Sequence, residues 1–216
     1  MKIYFDGCSW TQGAELENPE EERFSRLICN ELGAEETNLG IGGGSNDRII
    51  RNLLVENNIE EYDLAVIQMT LPARTEYWDN KWIKINPKAN FSSWLYQNNL
   101  LRGKLAGTGI NIDNLASKFS DHGEFWKYFY TKVSNKHYFD VKEKVQFETI
   151  KGFCISKGVP LIICTINKWT KLKFDLLFVT DEYTRSKKAH PNKLGHQLIA
   201  ESIINFKKIP KIDALE

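Results

Sequence analysis

The chain has 216 residues, 42% of them hydrophobic and 26% charged, a composition typical of one globular domain with a sizeable core. Its 29 Lys and Arg residues nearly balance 28 Asp and Glu residues, and this net charge of +1 argues against a general affinity for nucleic acid. No stretch approaches the roughly 20 apolar residues of a transmembrane helix, so we also expect no membrane partner.

The amino terminus carries no recognisable signal peptide, because the apolar run Ile3 to Phe5 is too short for its hydrophobic region. We therefore expect a protein that is cytoplasmic as synthesised, unless a virion or another assembly exports it. The four cysteines lack metal-ligand spacing, so we predict reduced thiols and no metal site. Cys29 and Cys164 lie on predicted core faces, where cysteine behaves as a small apolar residue.

The first part of the chain alternates short apolar runs with amphipathic segments. Lys2 to Asp6 is predicted to be a strand, and a helix is predicted from Asn18 to about Leu32, closing at Gly33. A short second strand is predicted at Thr37 to Ile41. Ser45 is a candidate N-cap of the helix that follows it.

The same alternation returns later in the chain. Asp63 to Met69 and Val159 to Ile166 are continuous apolar runs, as expected of parallel strands covered on both faces. A final helix is predicted at Asn192 to Phe206. The pattern indicates an α/β protein, namely a three-layer α/β/α sandwich around a mostly parallel central sheet.

A long segment, about Thr75 to Asp140, interrupts this rhythm and is rich in aromatic residues. These side chains can pack a helical cap onto the sheet, or they can offer a surface to sugar rings or to a protein partner. We predict a single domain over residues 1–216 with an insertion at about 75–140 that acts as a lid or substrate wall. The tryptophans and tyrosines of the insertion are Trp78, Trp82, Trp94, Trp126, Tyr77, Tyr96, Tyr128, Tyr130 and Tyr138.

The segment Gly7 to Gly13 follows the first predicted strand directly and carries Ser9. A serine on the turn past a strand lies where open α/β sheets bind their ligands, with its hydroxyl free to face a substrate. The alternative is that Ser9 and Thr11 only satisfy the geometry of a turn.

His190 lies in a loop beside the start of the final helix. A neutral imidazole there can accept a proton from a serine hydroxyl, which makes His190 a candidate general base. The alternative is a surface or capping histidine. His196, six residues later and inside the helix, is expected to be structural.

These segments, with the glycine-rich stretch Asn38 to Asn46 between them, resemble in order and spacing the motif blocks of the SGNH/GDSL hydrolase family. The resemblance covers about two thirds of the chain and implies the flavodoxin-like SGNH hydrolase fold. It implies Ser9 as nucleophile, His190 as base, and an oxyanion hole formed by the backbone N–H groups of Ser9 and Gly43. It implies no metal and no organic cofactor.

Two positions depart from the family pattern. Where the third block usually has an asparagine, this chain has Gln68 to Arg74, as some phage-type relatives do, and Thr70 or Arg74 is a candidate oxyanion donor. Lys187 occupies the usual position of the triad aspartate, and Asp181 in the same loop is a possible orienting acid. We therefore predict either a Ser9–His190 dyad or a slow or inactive enzyme.

Two other interpretations are less favoured. Cys8, beside Ser9, is interpreted as structural rather than nucleophilic. The stretch Gly40 to Ser45 lacks both the Gly-Lys-Ser/Thr ending of a P-loop and the G-x-G-x-x-G spacing, so a nucleotide site is not predicted.

The sequence therefore predicts a serine esterase or deacetylase that needs no cofactor and acts through an acyl-enzyme on Ser9. The predicted substrate is a small-molecule or carbohydrate ester, and the favoured substrate is a sugar that carries an O-acetyl or other short acyl group. Trp10, Trp78 and Trp82 are predicted to form a substrate wall. The alternative is a catalytically weak or inactive SGNH-like module that binds carbohydrate, or binds a protein partner in a virion or assembly through the aromatic insertion.

Overall fold

The structure is a computed structural model that describes residues 1–78, 81–85, 128–178 and 190–206. Within these residues, five strands form a parallel sheet and two more form an antiparallel hairpin. In chain order the strands are β1 (Lys2–Asp6), β2 (Glu35–Asn38), β3 (Leu64–Met69), β4 (Thr75–Trp78), β5 (Trp82–Ile85), β6 (Leu161–Thr165) and β7 (Leu176–Leu177). The order across the parallel sheet is β2-β1-β3-β6-β7, and the hairpin pairs β4 with β5.

Helices connect these strands. The α-helices are α1 (Ser9–Gln12), α2 (Pro19–Glu22), α3 (Phe24–Leu32), α4 (Asn46–Arg51), α5 (Lys136–Ser156) and α6 (Lys193–Ile204). Short π-helical turns at Asn52–Glu56 and Phe129–Val133 and a 3₁₀ turn at Ile59–Glu61 complete the described set.

The sheet has a hydrophobic core on each face, because successive side chains of a strand point to opposite sides. From β1, Ile3 and Phe5 belong to the cluster that α3 and α6 cover, whereas Tyr4 belongs to the cluster that α4 and α5 cover. All three side chains are fully buried. The predicted three-layer α/β/α sandwich with a parallel central sheet is thus confirmed.

Several predicted elements have different bounds in the structure. The first helix is divided into α2 and α3 at Arg23, whose backbone is extended and whose guanidinium binds Glu36 and Glu20. The second strand ends at Asn38, since this side chain turns inward to donate to the Thr11 carbonyl at 2.8 Å. The long helix α5, the short edge strand β7 and the hairpin were not predicted.

Part of the aromatic insertion packs against the sheet domain. Tyr130 and Phe139 are buried and form a small cluster with Ala73 and Ile85. The Tyr130 hydroxyl donates to the Ala73 carbonyl at 2.6 Å. Packing is therefore the observed role of these two aromatic residues, while positions 86–127 of the predicted insertion lie outside the described residues.

None of the helices in the described ranges is long and apolar enough to cross a bilayer.

A buried histidine joins the two helices of one face. The Nδ1 atom of His196 on α6 accepts a hydrogen bond from the Phe24 backbone N–H at 3.1 Å, and the two rings stack with centroids 5.8 Å apart. Burial disfavours the imidazolium and lowers the pKa of His196 to about 4, helped by the neighbouring His190. His196 thus has the structural role that its position in the helix predicts.

This histidine should make stability depend on pH. Because the folded-state pKa lies below the roughly 6.5 of an unfolded histidine, its contribution is complete above pH 6.5 and is lost as pH falls towards 4. The full loss amounts to about 3 kcal/mol of the free energy of unfolding. Urea denaturation at a series of pH values should show this slope in the wild type and not in His196→Gln. The exposed His137→Gln is the matched control, and a slope retained in His196→Gln would contradict the assignment.

Candidate active site

The candidate site lies at the edge of the sheet where β1, β2 and β3 end. Phe5 pairs with Asn38 of β2, and Asp6 pairs with Ile67 of β3, so the three strands end at neighbouring positions. The chain leaves β1 with β2 on one side and β3 on the other, which makes this a topological switch point. Open α/β sheets bind ligands in the crevice that such a reversal creates.

Ser9 begins the short helix α1 immediately after β1, with Cys8 in the N-cap position. The backbone N–H groups in the first turn of a helix have no partner inside the helix, so the Ser9 N–H is available to an incoming group. Gly7 permits the sharp approach, since a Cβ there would lie 2.2 Å from the Thr11 Oγ1 atom. Ser9, which the sequence predicts to lie on a turn, is thus the first residue of a short helix.

A buried carboxylate anchors the chain just before this turn. Asp6 accepts from the Gly7 backbone N–H at 2.7 Å, from Arg48 Nη1 at 2.8 Å and from Asn52 Nδ2 at 2.8 Å. Burial raises the pKa of Asp6, and the Arg48 guanidinium and the hydrogen bonds oppose this effect. These contacts tie the end of β1 to α4 and fix the direction in which the chain enters the Ser9 turn.

The structure brings the two predicted catalytic side chains together across 181 positions of sequence. His190 Nε2 lies 2.9 Å from Ser9 Oγ, which is hydrogen-bond distance. His190 directly precedes α6, whose N-cap Asn192 accepts from the Gly195 N–H at 3.0 Å. The cap fixes the start of α6 and hence the direction of the loop that presents the imidazole.

A residue that sequence reasoning missed completes this arrangement. Glu15 Oε2 lies 2.8 Å from His190 Nδ1, the ring nitrogen opposite Ser9. Both side chains are only about one fifth exposed, at 20% for Glu15 and 22% for His190. Asp181, the predicted orienting acid, and Lys187 lie outside the described residues.

The backbone of Glu15 has a feature that the sequence does not reveal. Its φ of 72° makes it the non-glycine residue with positive φ in the described ranges. This conformation costs about 1–2 kcal/mol for a residue with a Cβ, and such strain concentrates at functional sites. It follows the left-handed Gly13 at the end of α1, where the chain folds back and the Ala14 N–H binds the Ser9 carbonyl at 2.9 Å.

The glycine-rich loop after β2 packs directly on the Ser9 helix. A Cβ on Gly40 would lie 2.7 Å from the Gln12 backbone nitrogen, and one on Gly44 would lie 2.9 Å from the Gly7 carbonyl oxygen. Gly43 has a φ of 73° in a turn closed by the Gly44 N–H to Ile41 carbonyl bond of 2.9 Å. The glycines thus let this loop, with its backbone N–H groups, approach the nucleophile closely.

Replacing Gly40 by alanine should displace this loop. Both neighbours that its Cβ would strike belong to the Thr11 and Gln12 region, including backbone atoms that cannot rotate away. We expect Gly40→Ala to lower the free energy of unfolding by about 1–3 kcal/mol, measured by urea denaturation. Gly152→Ala on α5 is the matched control: its Cβ meets nothing within 4 Å, and alanine favours a helix by about 1 kcal/mol. Equal stability of the two variants would contradict the close approach.

The loop after β3 places Thr70 and Arg74 beside the nucleophile turn. Thr70 is fully buried, and its Oγ1 accepts from Arg74 Nη1 at 2.5 Å. Asn46 on α4 fixes the loop, because its side chain accepts from the Thr70 N–H at 2.8 Å and donates to the Thr70 carbonyl at 3.1 Å. The Arg74 guanidinium lowers the pKa of Cys8, the neighbour of Ser9.

Cys8 is fully buried and points away from solvent. Burial alone disfavours its thiolate, but the Arg74 charge and hydrogen bonds from Trp10 and Gln68 outweigh that effect and lower the pKa of the thiol. Its Sγ lies 3.4 Å from the Gln68 Nε2 donor. A side chain with no exposed surface cannot attack a substrate, so this geometry agrees with a structural Cys8.

The three tryptophans of the predicted substrate wall occupy different environments. Trp10 is 5% exposed and packs in the core under α3 and α6, so its burial argues against the predicted wall role. Trp78 and Trp82 are 62% and 43% exposed on the β4–β5 hairpin. Lys84 of that hairpin donates to the Gly42 carbonyl at 3.1 Å, which places the hairpin against the glycine loop.

In the part of the chain that the structure describes, His, Cys, Asp and Glu side chains form no cluster of three or more that could hold a metal ion.

Comparison with protein-family models and with curated protein sequences found no match. Among solved structures the chain is similar to a two-domain esterase (CEX) active on acetylated mannans, at 17% identity and a TM-score of 0.40, covering 95% of this chain and 48% of that one. It is similar to the acetyl xylan esterase AlAXEase, at 14% identity and a TM-score of 0.47, covering 94% of this chain and 98% of that one. It is also similar to a member of the lipolytic protein G-D-S-L family from Veillonella parvula, at 15% identity and a TM-score of 0.39, covering 97% and 100%.

The matched structures thus include the family that the sequence motifs resemble. The chain spans about half the length of the two-domain esterase. At 17% identity or less and TM-scores below 0.5, likeness to these proteins carries no conclusion about activity.

Proposed function

We propose that the protein is a serine ester hydrolase with Ser9 as nucleophile, His190 as general base and Glu15 as the acid that orients His190. The observation that carries this proposal is the continuous line of two contacts, 2.9 Å from Ser9 Oγ to His190 Nε2 and 2.8 Å from His190 Nδ1 to Glu15 Oε2. A nucleophile bound to a base, with the base bound to a third group, is the arrangement by which serine hydrolases activate a hydroxyl.

The reaction proceeds in two halves. Ser9 Oγ forms a bond to the acyl carbon of the ester while His190 Nε2 takes the hydroxyl proton. The tetrahedral intermediate then expels the alcohol, which receives this proton from His190, and the acyl group remains on Ser9. Water attacks the acyl-enzyme with His190 again accepting a proton, and the free acid leaves as that proton returns to Ser9.

Glu15 acts on the imidazole through Nδ1. Its carboxylate accepts the Nδ1–H bond and so leaves Nε2 as the acceptor that faces Ser9. It also stabilises the imidazolium that forms when the proton arrives. The family has an aspartate where this chain has Lys187, but its absence does not leave Ser9 and His190 as a dyad. The orienting carboxylate is instead that of Glu15, in the loop after α1.

The oxyanion of the intermediate is proposed to bind the backbone N–H groups of Ser9 and Gly43, with Arg74 in place of the family's third-block asparagine. The support for Arg74 is its position, since its Nη1 lies 3.5 Å from the Gly44 carbonyl oxygen in the glycine loop and its guanidinium lowers the pKa of Cys8, the neighbour of Ser9. Thr70 is fully buried, so we assign it to holding Arg74 rather than to meeting the oxyanion. Preorganised donors of this kind are each worth about a hundredfold or more in rate.

We propose an O-acetyl or other short acyl group on a carbohydrate as the substrate. The support is the exposed tryptophan pair on the hairpin that contacts the glycine loop, since an aromatic ring offers a flat apolar surface to a sugar. The alternative, a weak or inactive binding module, was motivated partly by the lack of a carboxylate beside His190. The Glu15 contact favours the hydrolase of the two.

Two measurements test this proposal. Purified protein should hydrolyse p-nitrophenyl acetate, and an alkyl fluorophosphonate should add one phosphonyl group per chain at Ser9, located by peptide mass spectrometry. Boiled protein is the control for non-specific labelling. Labelling elsewhere with Ser9 unmodified, or turnover no faster than that of the boiled protein, would reject the hydrolase assignment.

A further inference from the structure

We infer that the Trp78 and Trp82 end of the β4–β5 hairpin binds the sugar chain that carries the scissile ester, with the exposed parts of these two indole rings as its stacking platform. This inference rests on the proposed function, since it names residues that would recognise the substrate beyond the acyl group. It concerns binding, so it can fail or hold separately from the chemistry at Ser9.

One face of the hairpin is continuous with the site. Trp78 pairs directly with Trp82, and Glu76 pairs directly with Lys84, so all four side chains lie on the same face of the two strands. The Lys84 ammonium reaches the Gly42 carbonyl oxygen at 3.1 Å in the loop of the proposed oxyanion hole. Trp82 is two residues from Lys84, or roughly 7 Å along the strand, which a short oligosaccharide spans easily.

The platform is held rigidly. Glu76 has a side chain that is only 3% exposed and binds the Arg51 Nε of α4 at 2.7 Å. The same guanidinium lies over the Trp82 ring, 4.5 Å from its centroid. Thr75 Oγ1 adds a bond of 2.5 Å to Asp47 Oδ2 at the start of α4. The hairpin is therefore fixed to the helix that follows the glycine loop, so binding a ligand there needs little ordering of the protein.

The two indole rings remain accessible although they are held. They contact each other edge to face, with centroids 5.4 Å apart and an angle of 71°. Trp78 is nevertheless 62% exposed, and Trp82 is 43% exposed. On the other face of the hairpin, Ile83 and Ile85 pack into the cluster with Tyr130 and Phe139. The hairpin is thus held on both faces, by apolar packing on one and by the Glu76 and Lys84 contacts on the other. The exposed parts of the two indole rings remain for a flat, partly apolar ligand such as a pyranose chain.

The test compares a polymeric with a minimal substrate. We expect Trp78→Ala and Trp82→Ala to raise KM for a partly O-acetylated xylo-oligosaccharide about tenfold each, with kcat nearly unchanged. Because p-nitrophenyl acetate has no sugar, the ratio of kcat/KM for the oligosaccharide to kcat/KM for p-nitrophenyl acetate should fall about tenfold in each variant. Trp169→Ala is the matched variant, because Trp169 is 50% exposed but follows β6 rather than lying on the hairpin.

Binding to the Ser9→Ala protein separates this inference from the chemistry. Calorimetry with the deacetylated xylo-oligosaccharide and with a manno-oligosaccharide should show binding that Trp78→Ala weakens, even if no ester is hydrolysed. Thermal unfolding identifies a misfolded Trp82→Ala variant, in which case Trp78→Ala decides. The inference is overturned if neither oligosaccharide binds, if Trp78→Ala binds like the parent protein, or if Trp169→Ala alone raises KM.

Discussion

Ser9→Ala and His190→Ala should each lower kcat/KM for p-nitrophenyl acetate by at least about 10³-fold. The first variant removes the atom that forms the acyl-enzyme, and the second leaves the Ser9 hydroxyl with no base at the observed 2.9 Å. The two effects should not add in the double variant, because the residues act on one step. Initial rates of p-nitrophenyl acetate hydrolysis at a fixed pH give kcat/KM for each variant, provided that the enzyme is in excess of any contaminating esterase.

The fold of both variants must be intact for this comparison. Neither substitution should change the free energy of unfolding by more than about 1 kcal/mol, since Ser9→Ala removes one oxygen atom from a buried side chain and the His190 side chain is 22% exposed. His137→Gln is a useful companion, because it alters an exposed histidine on α5. Wild-type rates in Ser9→Ala would show that any esterase activity arises elsewhere.

Glu15→Gln should lower kcat by about 10²- to 10⁴-fold while leaving KM within a few-fold of wild type. The amide has nearly the shape of the carboxylate but cannot stabilise the imidazolium, and it can present an N–H to Nδ1 and so favour the wrong tautomer of His190. Glu15→Asp should recover part of the rate, because it restores the charge with a shorter reach.

The controls for this prediction lie in the same loop. Glu17→Gln changes an exposed carboxylate two positions away and should leave kcat unchanged. Urea denaturation of all three variants excludes a loss of folded protein. If Glu15→Gln and Glu17→Gln have the same activity, the 2.8 Å contact has no part in the reaction, and Ser9 and His190 would have to act as a dyad.

The two catalytic candidates could be proposed from sequence because each has a strong local pattern. Ser9 follows the first strand within a glycine-containing turn, and His190 precedes a well-capped helix. The parallel sheet was equally predictable, since continuous apolar runs such as those of β3 and β6 are typical of strands buried on both faces. These features depend on residues close together in the chain.

Glu15 had no such local signal. It lies among several acidic residues, and its approach to His190 depends on a left-handed turn at Gly13 followed by its own positive φ. A contact between positions 15 and 190 exists only after β1 and α6 take their places on the sheet. The division of roles among the tryptophans was hidden for the same reason: Trp10 is buried by α3 and α6, whereas Trp78 is exposed by the pairing of β4 with β5.

The alternation of strands and helices, the parallel sheet and the candidate pair Ser9 and His190 could all be predicted from the amino-acid sequence, because hydrophobic periodicity and turn residues act over a few positions. The folded structure was needed to show that Glu15 stands behind His190 and that the hairpin reaches the glycine loop. It also showed that Arg74, one of two candidate donors in the sequence, lies beside that loop. Each of these contacts joins distant segments, and no local pattern records which side chains the folded sheet will bring within hydrogen-bond distance.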